Sequence, residues 1–283
     1  MRETIDIIDT GDGAFVANVT EETQGAAARV PEQPLGISHR PSPCRELFAA
    51  YEAQDKPAFI GYLPFGFPDP DLSLEAFRTM VDNGTDIVEI GLPYSDPVMD
   101  GPVIQAASQI ALRNGERIAD VFKAVETVAN AGGAGLITPD LIPDEAGEWI
   151  EAADRHGLDR IFLVSPDSTN TRLRVVAENT RGFVYAAARM GVTGERATLN
   201  DSPQELVART RAAGAENVCV GIGVSTPVQG ATVGRYADGV IVGSALVHTF
   251  LDENGAVRDP VQGLGALANT TAALADAIHG CRA

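Results

Sequence analysis

The sequence is short of basic residues and of long apolar runs, and each shortage excludes a class of protein. Lys and Arg number 21 against 39 Asp and Glu, which gives 283 residues a formal net charge of −18 at pH 7. An acidic surface of this kind argues against nucleic acid and anionic membranes as partners. No apolar run reaches the roughly 18 residues that a membrane-spanning helix needs. We therefore predict no nucleic-acid partner and no membrane association.

Cysteine is rare, and histidine is scattered along the chain. The three cysteines (Cys44, Cys219 and Cys281) are odd in number and have no spacing typical of a metal site. The four histidines do not cluster with cysteines or carboxylates. The first twelve residues are acidic, whereas a secretory signal begins with basic and then apolar residues. These absences predict a reduced, cytoplasmic protein without a metal site.

The composition divides the chain near residue 43. Residues 1–43 contain two Asp/Gly-rich patches, a Glu-Glu pair and four closely spaced prolines. This composition is typical of a poorly ordered segment, because it offers little apolar surface to bury. We predict a poorly ordered extension over residues 1–43 and a single domain over residues 44–283.

From residue 44 onward, short apolar strands alternate with helical patterns. Such strands are typical of a parallel sheet covered by helices, as in an α/β barrel or a doubly wound sheet. No Gly-x-Gly-x-x-Gly follows the first strand, which disfavours a dinucleotide-binding fold. The predicted strands begin near residues 58, 86, 134, 159, 182, 217 and 238. The predicted helices span residues 45–54, 72–83, 102–113, 118–131, 142–156, 171–180, 203–213, 227–236 and 262–279.

Two carboxylates accompany the second predicted strand, where a barrel carries its functional groups. Glu89 lies between apolar residues inside the strand, and burial would raise its pKa toward neutrality, as acid/base chemistry requires. A structural ion pair or hydrogen bond is the alternative for Glu89. Asp100 lies in a turn-rich loop that ends at Pro102, and a helix cap is the alternative for Asp100.

Later strand ends supply a candidate loop and candidate phosphate turns. Tyr185 ends a strand and precedes a segment in which Thr193 stands between two glycines, which suggests a loop that closes over a ligand. An ordinary strand–helix connection is the alternative for this loop, and a core aromatic residue is the alternative for Tyr185. Gly-x-Gly at 221–223 and Gly-Ser at 243–244 follow the last two strands, as phosphate-binding turns do in many barrels. A cap at Ser225 or Thr226 would leave free N–H groups there, although tight turns without a ligand are the alternative.

Two longer stretches of sequence carry a more specific signal than the single residues above. Residues 88–97 read Val-Glu-Ile-Gly-Leu-Pro-Tyr-Ser-Asp-Pro, and residues 100–105 read Asp-Gly-Pro-Val-Ile-Gln. These strings closely resemble the signature of the tryptophan synthase alpha chain family. Residues 183–185, 191–194, 221–225 and 243–244 are similar to further motifs of that family, in the same order. The resemblance extends from about residue 44 to the C-terminus.

The resemblance implies a TIM-type (β/α)8 barrel that cleaves indole-3-glycerol phosphate by a retro-aldol reaction. The products would be indole and glyceraldehyde 3-phosphate. By position, Glu89 would be the acid/base, and Asp100 would stabilise the positive charge that develops on the indole ring. Thr193 would hold Asp100 when its loop closes.

The resemblance also implies a substrate pocket and a partner. Residues matching substrate-binding positions are Tyr62, Tyr185, Thr193, Gly194, Ile222, Gly223, Ile241, Gly243 and Ser244. The tyrosines and isoleucines would line the indole pocket, whereas Gly223, Gly243 and Ser244 would bind the phosphate. The family's alpha chain passes indole to a beta subunit in an α2β2 assembly, with residues 93–102 on the contact face. Pyridoxal phosphate would be bound by the beta subunit, and this chain would hold no cofactor.

One departure from the family concerns the number of strands. Only seven strands are recognisable, and the predicted helix over 118–131 leads directly into the next strand, so the third strand–helix unit is expected to be missing. Without the usual closure, the two strands that flank the missing unit could pair directly or leave an open sheet edge. The alternatives are therefore an alpha-like protein that binds or regulates a beta subunit without catalysis, and a lyase that acts alone. Another phosphate-binding barrel enzyme, such as a sugar-phosphate isomerase, is a third.

Overall fold

The computed structural model describes residues 5–9, 15–19, 42–95, 100–115, 135–137, 141–187, 203–221 and 223–282. The chain divides into two units, residues 1–36 and residues 37–283. In the first unit, strands β1 (Ile5–Asp9) and β2 (Phe15–Val19) pair antiparallel. The sequence analysis did not foresee this hairpin, and poor order over residues 1–43 stays a prediction.

The second unit contains strands and helices that alternate as the sequence predicts. The strands are β3 (Ala58–Pro64), β4 (Ile87–Gly91), β5 (Gly135–Ile137), β6 (Asp159–Ile161), β7 (Leu163–Val164), β8 (Val184–Ala187), β9 (Val218–Gly221) and β10 (Gly239–Val242). The helices are α1 (Pro43–Glu52), α2 (Pro70–Asp82), α3 (Pro102–Arg113), α4 (Gly147–His156), α5 (Asn170–Asn179), α6 (Pro203–Ala212), α7 (Pro227–Gly234), α8 (Ser244–His248) and α9 (Pro260–His279). No helix in the described ranges is both long enough and apolar enough to cross a membrane.

The strands of the second unit form a parallel, curved wall. Six of them are hydrogen-bonded in the order β4-β3-β10-β9-β8-β7, and β5 pairs with β6. Only Phe162 separates β6 from β7, so one stretch of chain links the two sheets. Seven positions in the wall are thus filled, and the predicted parallel α/β barrel architecture is confirmed.

Two predicted elements differ from the structure in detail, and one helix was not predicted. The predicted helix over 142–156 begins as a 3-10 turn (Pro143–Glu145) before α4, and the predicted strand over 160–164 changes partner at Phe162. Helix α8 was not predicted, because five residues carry too little periodicity. The predicted helix over 118–131 lies outside the described residues.

Strand β4 is an edge strand among the described residues. It pairs only with β3, and residues 87–90 are half-buried, whereas every residue of β9 and β10 is buried. A central barrel strand would be covered on both sides. The open edge therefore falls where the sequence analysis expects a strand–helix unit to be missing.

Helix α1 closes the amino-terminal end of the wall. The Phe48 ring packs edge-on against Phe183, with ring centroids 5.9 Å apart. Both belong to a buried apolar cluster on the interior face of the strands that includes Ile60, Cys219 and Ile241. A larger cluster lies between the strands and the surrounding helices. The interior is therefore filled at the amino-terminal end, and functional groups can gather at the other.

Three aspartates at strand starts fasten neighbouring elements together, and we call them the aspartate latches (Asp86, Asp159 and Asp238). Asp86 accepts hydrogen bonds from Phe59 N (2.7 Å) and Tyr51 Oη, and its Oδ2 lies 2.7 Å from His279 Nε2. This latch joins α1, β3, β4 and α9.

The other two latches repeat the arrangement around the wall. Asp159 accepts from Ser42 Oγ (2.8 Å) and forms a fully buried ion pair with Arg181 at 3.0 Å. Asp238 accepts from Val218 N (2.8 Å) and Arg211 Nη2 (2.7 Å). Because each carboxylate satisfies donors that would otherwise lie in a poorly solvated region, the latches stabilise the fold.

Replacing Asp86 by Asn should lower the free energy of unfolding by about 2 kcal/mol, because an amide cannot satisfy all three donors. Guanidinium unfolding at pH 7 measures the loss. The exposed Asp82 at the end of α2 supplies the control, since Asp82→Asn should change stability by less than about 0.5 kcal/mol. Equal losses for the two variants would contradict the latch.

Candidate functional site

The register of the parallel strands brings several predicted site residues to one face of the wall. Tyr62 on β3 is paired directly with Glu89 on β4, so the two side chains leave the sheet on the same side. Ile241, paired with Ile60, and Tyr185, paired with Cys219, belong to the interior cluster. Tyr62, Glu89, Tyr185 and Ile241 thus surround the carboxyl-terminal end of the interior.

Two glycines make room for the tyrosines. A Cβ atom added at Gly91 would overlap with Tyr62 Oη, and a Cβ atom added at Gly221 would overlap with Tyr185 Oη. A Cβ atom added at Gly243 would lie 3.2 Å from Tyr62 Cδ1. Both rings therefore lean toward the strand ends over bare backbone. Sequence reasoning did not foresee this role, although a glycine ending an apolar strand is the signal for a close approach.

Glu89 is enclosed without a compensating partner. The residue as a whole is half-buried because β4 is an edge strand, but Oε2 is buried and has no hydrogen-bond partner among the described residues. Desolvation, and then the charge of Asp100, raise the pKa of Glu89 to about 7. Within the described part of the chain, the structural ion pair proposed as an alternative is not present, and the group can exchange protons near neutrality.

Asp100 is held beside the site at two points. Gln105 Nε2 donates to the Asp100 carbonyl oxygen at 2.9 Å, and Tyr94 Oη lies 3.4 Å from Asp100 Oδ2. Burial raises the pKa of Asp100, and the Tyr94 hydrogen bond partly opposes this rise. The cap of α3 is Gly101, without a side-chain hydrogen bond, so the helix-cap alternative for Asp100 is wrong.

The two interior tyrosines remain neutral hydrogen-bond donors. Burial, followed by the charges of Asp100 and Glu89, raises the pKa of Tyr62 far above its usual range. Burial, followed by the charge of Glu89, does the same for Tyr185. The site therefore combines two carboxyl groups with phenol groups that cannot ionise near neutral pH.

The predicted phosphate turns lie at the ends of adjacent strands. Strands β9 and β10 pair directly, Gly223 follows β9 with φ +88°, and Gly243 caps α8. Gly223 and Ser244 are exposed. The positive φ explains glycine at position 223, because other residues rarely adopt it.

The start of α7 differs from the expectation of free N–H groups. Thr226 caps this helix as predicted and accepts a hydrogen bond from Gln229 N at 3.3 Å. However, Gln229 Oε1 accepts from Ser225 N (2.9 Å) and Thr226 N (3.1 Å). A Gln three residues after the cap commonly accepts a hydrogen bond from the backbone of the cap residue. The expectation of free N–H groups is therefore wrong for the backbone of Ser225 and Thr226.

Three predicted site residues, Thr193, Gly194 and Ile222, lie outside the described residues, and their roles stay predictions. In the ranges that the structure describes, no three His, Cys, Asp or Glu side chains gather as metal ligands would. Tyr94 lies within the stretch 88–97 that resembles the family signature, but it was not predicted to be a site residue. Its contact with Asp100 depends on the path of the loop, which local sequence patterns do not specify.

Known proteins place the chain in a family. The sequence model described as tryptophan synthase alpha chain matches residues 48–132 and 123–278. The chain belongs to this family. The tryptophan synthase alpha chain of Bifidobacterium longum is 66% identical over 279 residues, which cover 88% of this chain and 96% of that protein. The alpha chain of Mycobacterium marinum is 47% identical over 248 residues, covering 78% and 92%.

Solved structures of tryptophan synthase share the fold. A chain of Mycobacterium tuberculosis tryptophan synthase is 43% identical, with a TM-score of 0.74 over 85% of this chain and 99% of that chain. The tryptophan synthase alpha subunit of Legionella pneumophila is 28% identical, with a TM-score of 0.68 over 84% and 98%. The predicted membership of the tryptophan synthase alpha chain family is therefore confirmed.

The alignments also bear on the length of the barrel. The Bifidobacterium longum alignment extends over 279 residues, but 88% of this chain's 283 residues is only about 249, which leaves about 30 aligned residues without a counterpart. Both matches to the family include residues 123–132. This overlap covers the second half of the predicted helix over 118–131 and the residue after it, where the missing unit is expected.

The raised pKa of Glu89 makes stability depend on pH. The folded-state pKa of about 7 exceeds the ordinary value of 4.5, so the contribution of Glu89 is fully present below pH 4.5 and is lost as pH rises through 7. Glu89→Gln cannot titrate. Relative to this variant, we expect the wild type to lose on the order of 2 kcal/mol between pH 4.5 and 8, allowing for solvent screening.

Guanidinium unfolding at a series of pH values tests this dependence. The exposed Glu75 on α2 provides the control, because Glu75→Gln should follow the wild-type curve. Parallel wild-type and Glu89→Gln curves would show that Glu89 titrates normally.

Proposed function

We propose that this chain cleaves indole-3-glycerol phosphate to indole and glyceraldehyde 3-phosphate, as the alpha chain of a tryptophan synthase in tryptophan biosynthesis. The Glu89 carboxyl group, with a pKa of about 7 and an Oε2 that is buried and has no hydrogen-bond partner among the described residues, is the observation that carries the proposal. Such a group is suited to donate and accept a proton at neutral pH. Family membership supports the identity of the substrate, which geometry alone does not specify.

The proposed reaction needs two carboxyl groups in different protonation states. Protonated Glu89 donates its proton to the indole ring carbon that bears the glycerol side chain. The Asp100 carboxylate stabilises the positive charge that develops at the indole nitrogen. The neighbouring glycerol hydroxyl then loses its proton with help from Glu89, the carbon–carbon bond breaks, and its electron pair returns to the ring. Stabilisation of charge that exists only during the reaction lowers the barrier.

The remaining site residues are proposed to bind the substrate. Tyr62, Tyr185, Ile222 and Ile241 would line the indole pocket, an assignment supported by the interior position of three of them. Gly223, Gly243 and Ser244 would bind the phosphate through backbone N–H groups and a hydroxyl, at adjacent strand ends. Thr193 and Gly194 would belong to a closing loop that holds Asp100. The reaction uses acid–base groups of this chain, without a cofactor.

We further propose that the chain works in the cytoplasm with a tryptophan synthase beta subunit, as part of an α2β2 assembly in which the beta subunit binds pyridoxal phosphate. The loop after β4 exposes large apolar side chains, with Leu92 47% and Tyr94 44% exposed. Exposed apolar residues clustered beside a functional site favour a protein partner. We assign catalysis and partner binding to a single domain over residues 44–283. Residues 1–43 form an extension to this domain.

We also propose that the chain lacks one internal strand–helix unit. Support comes from the unmatched residues of the alignment, the overlap at residues 123–132 and the open edge of β4. Sequencing of the gene and transcript across residues 128–133, combined with the intact mass of the purified protein, is expected to agree with the 283-residue sequence. A product heavier by a strand–helix unit would overturn this proposal.

Release of indole from indole-3-glycerol phosphate tests the function. The purified chain, alone and with added beta subunit, should release indole, and Glu89→Gln should reduce the rate by at least a hundredfold because acid/base assistance is lost. The exposed Glu75→Gln variant should retain the wild-type rate. An unchanged rate in Glu89→Gln would remove Glu89 from its role.

The open edge of β4, on the strand that carries Glu89, favours one second candidate, an alpha-like protein that binds or regulates a beta subunit without turnover. Binding of the beta subunit without indole release would support that candidate. Indole release that is independent of the beta subunit would instead indicate a lyase that acts alone. Turnover of sugar phosphates without indole release would indicate a different barrel enzyme.

A further inference from the structure

The carboxyl group of Asp100 has one hydrogen-bond partner among the described residues, and it is a tyrosine outside the predicted site. Tyr94 Oη lies 3.4 Å from Asp100 Oδ2. Tyr94 follows β4, whereas Asp100 precedes α3, so this contact spans the loop between the two elements. Gln105 holds the Asp100 backbone, whereas Tyr94 contacts the carboxyl group itself.

Asp100 and Glu89 interact as like charges. The charge of Asp100 contributes to the raised pKa of Glu89, so ionisation of one group opposes ionisation of the other. The ionisation of two such carboxyl groups is coupled, and a donor aimed at one of them biases which of the two carries a proton. Among the residues that the structure describes, the ionisable groups that face this pair are Tyr62 on β3, Tyr185 on β8 and Tyr94 after β4.

We infer that Tyr94 is a positioning residue whose hydroxyl group donates to Asp100, keeps Asp100 the charged member of the pair and leaves the proton on Glu89. This inference rests on the proposed function, in which Glu89 donates a proton and Asp100 stabilises positive charge. Tyr62 and Tyr185 remain neutral and lie over Gly91 and Gly221, where they wall the pocket.

The Tyr94–Asp100 contact is long enough to shorten during the reaction. A tyrosine–carboxylate hydrogen bond is usually about 2.7 Å long, whereas Tyr94 Oη and Asp100 Oδ2 are 3.4 Å apart. Catalytic hydrogen bonds often reach their best geometry only in the transition-state complex. Tyr94 is therefore expected to contribute more to kcat than to KM, because its bond to Asp100 matters most when positive charge develops.

Tyr94→Phe tests the inference, because it removes only the hydroxyl group. In the chain without beta subunit, we expect kcat for indole release to fall about tenfold with KM changed less than about twofold. The acidic limb of the kcat–pH profile should move to higher pH, since Asp100 loses a bond that favours its charged form. Tyr236→Phe, at a half-buried tyrosine near the end of α7, is the matched control and should leave both quantities unchanged.

Carbon-13 NMR titration of the carboxyl groups in the substrate-free chain provides a readout that does not depend on activity. Glu89→Gln and Asp100→Asn assign the two signals. In Tyr94→Phe, Asp100 should titrate at higher pH and Glu89 at lower pH than in the wild type. Unchanged titration in a folded Tyr94→Phe variant, or an equal shift in Tyr236→Phe, would overturn the inference. Failure of the wild type to release indole would overturn the proposed function, whereas the titration would still decide the role of Tyr94.

Discussion

Desolvation of the Glu89 carboxyl group is the constraint around which the carboxyl-terminal end of the barrel is organised. The strand that carries Glu89 places this group among phenol rings and apolar side chains, and Oε2 has no partner in the described part of the chain. The second carboxyl group, Asp100, adds repulsion where an ion pair would normally add attraction. The site thus keeps an acid in a protonation state that water would not favour at neutral pH.

The geometry of this end depends on small residues as much as on charged ones. Tyr62 and Tyr185 reach the strand ends because Gly91 and Gly221 have no side chains to obstruct their hydroxyl groups. A close-packed interior has no spare volume, so a ring can lean in this direction only where a neighbour is missing its Cβ atom. Bare backbone at the strand ends therefore shapes the pocket in which the carboxyl groups act.

Periodic patterns in the sequence predict the alternating elements, and the position of Glu89 within an apolar strand predicts its enclosure. Contacts that depend on loop paths are not predictable in this way. The Tyr94–Asp100 contact spans a loop, and the change of strand partner at Phe162 depends on how the wall curves. Gln229 is an intermediate case, because its capping pattern is visible in the sequence. The hydrogen bond that Gln229 Oε1 accepts from Ser225 N, at the turn proposed to bind phosphate, is not predictable from that pattern.

The aspartate latches have a consequence for how such a barrel can change over evolutionary time. The carboxylates of Asp86, Asp159 and Asp238 bond to other strands or to helices, and both Asp86 and Asp159 hold helix α1. Because two of these contacts reach the same helix, loss of one element at this end would disturb several contacts at once. The amino-terminal end must therefore be preserved as a whole, while lineages can remodel the opposite end.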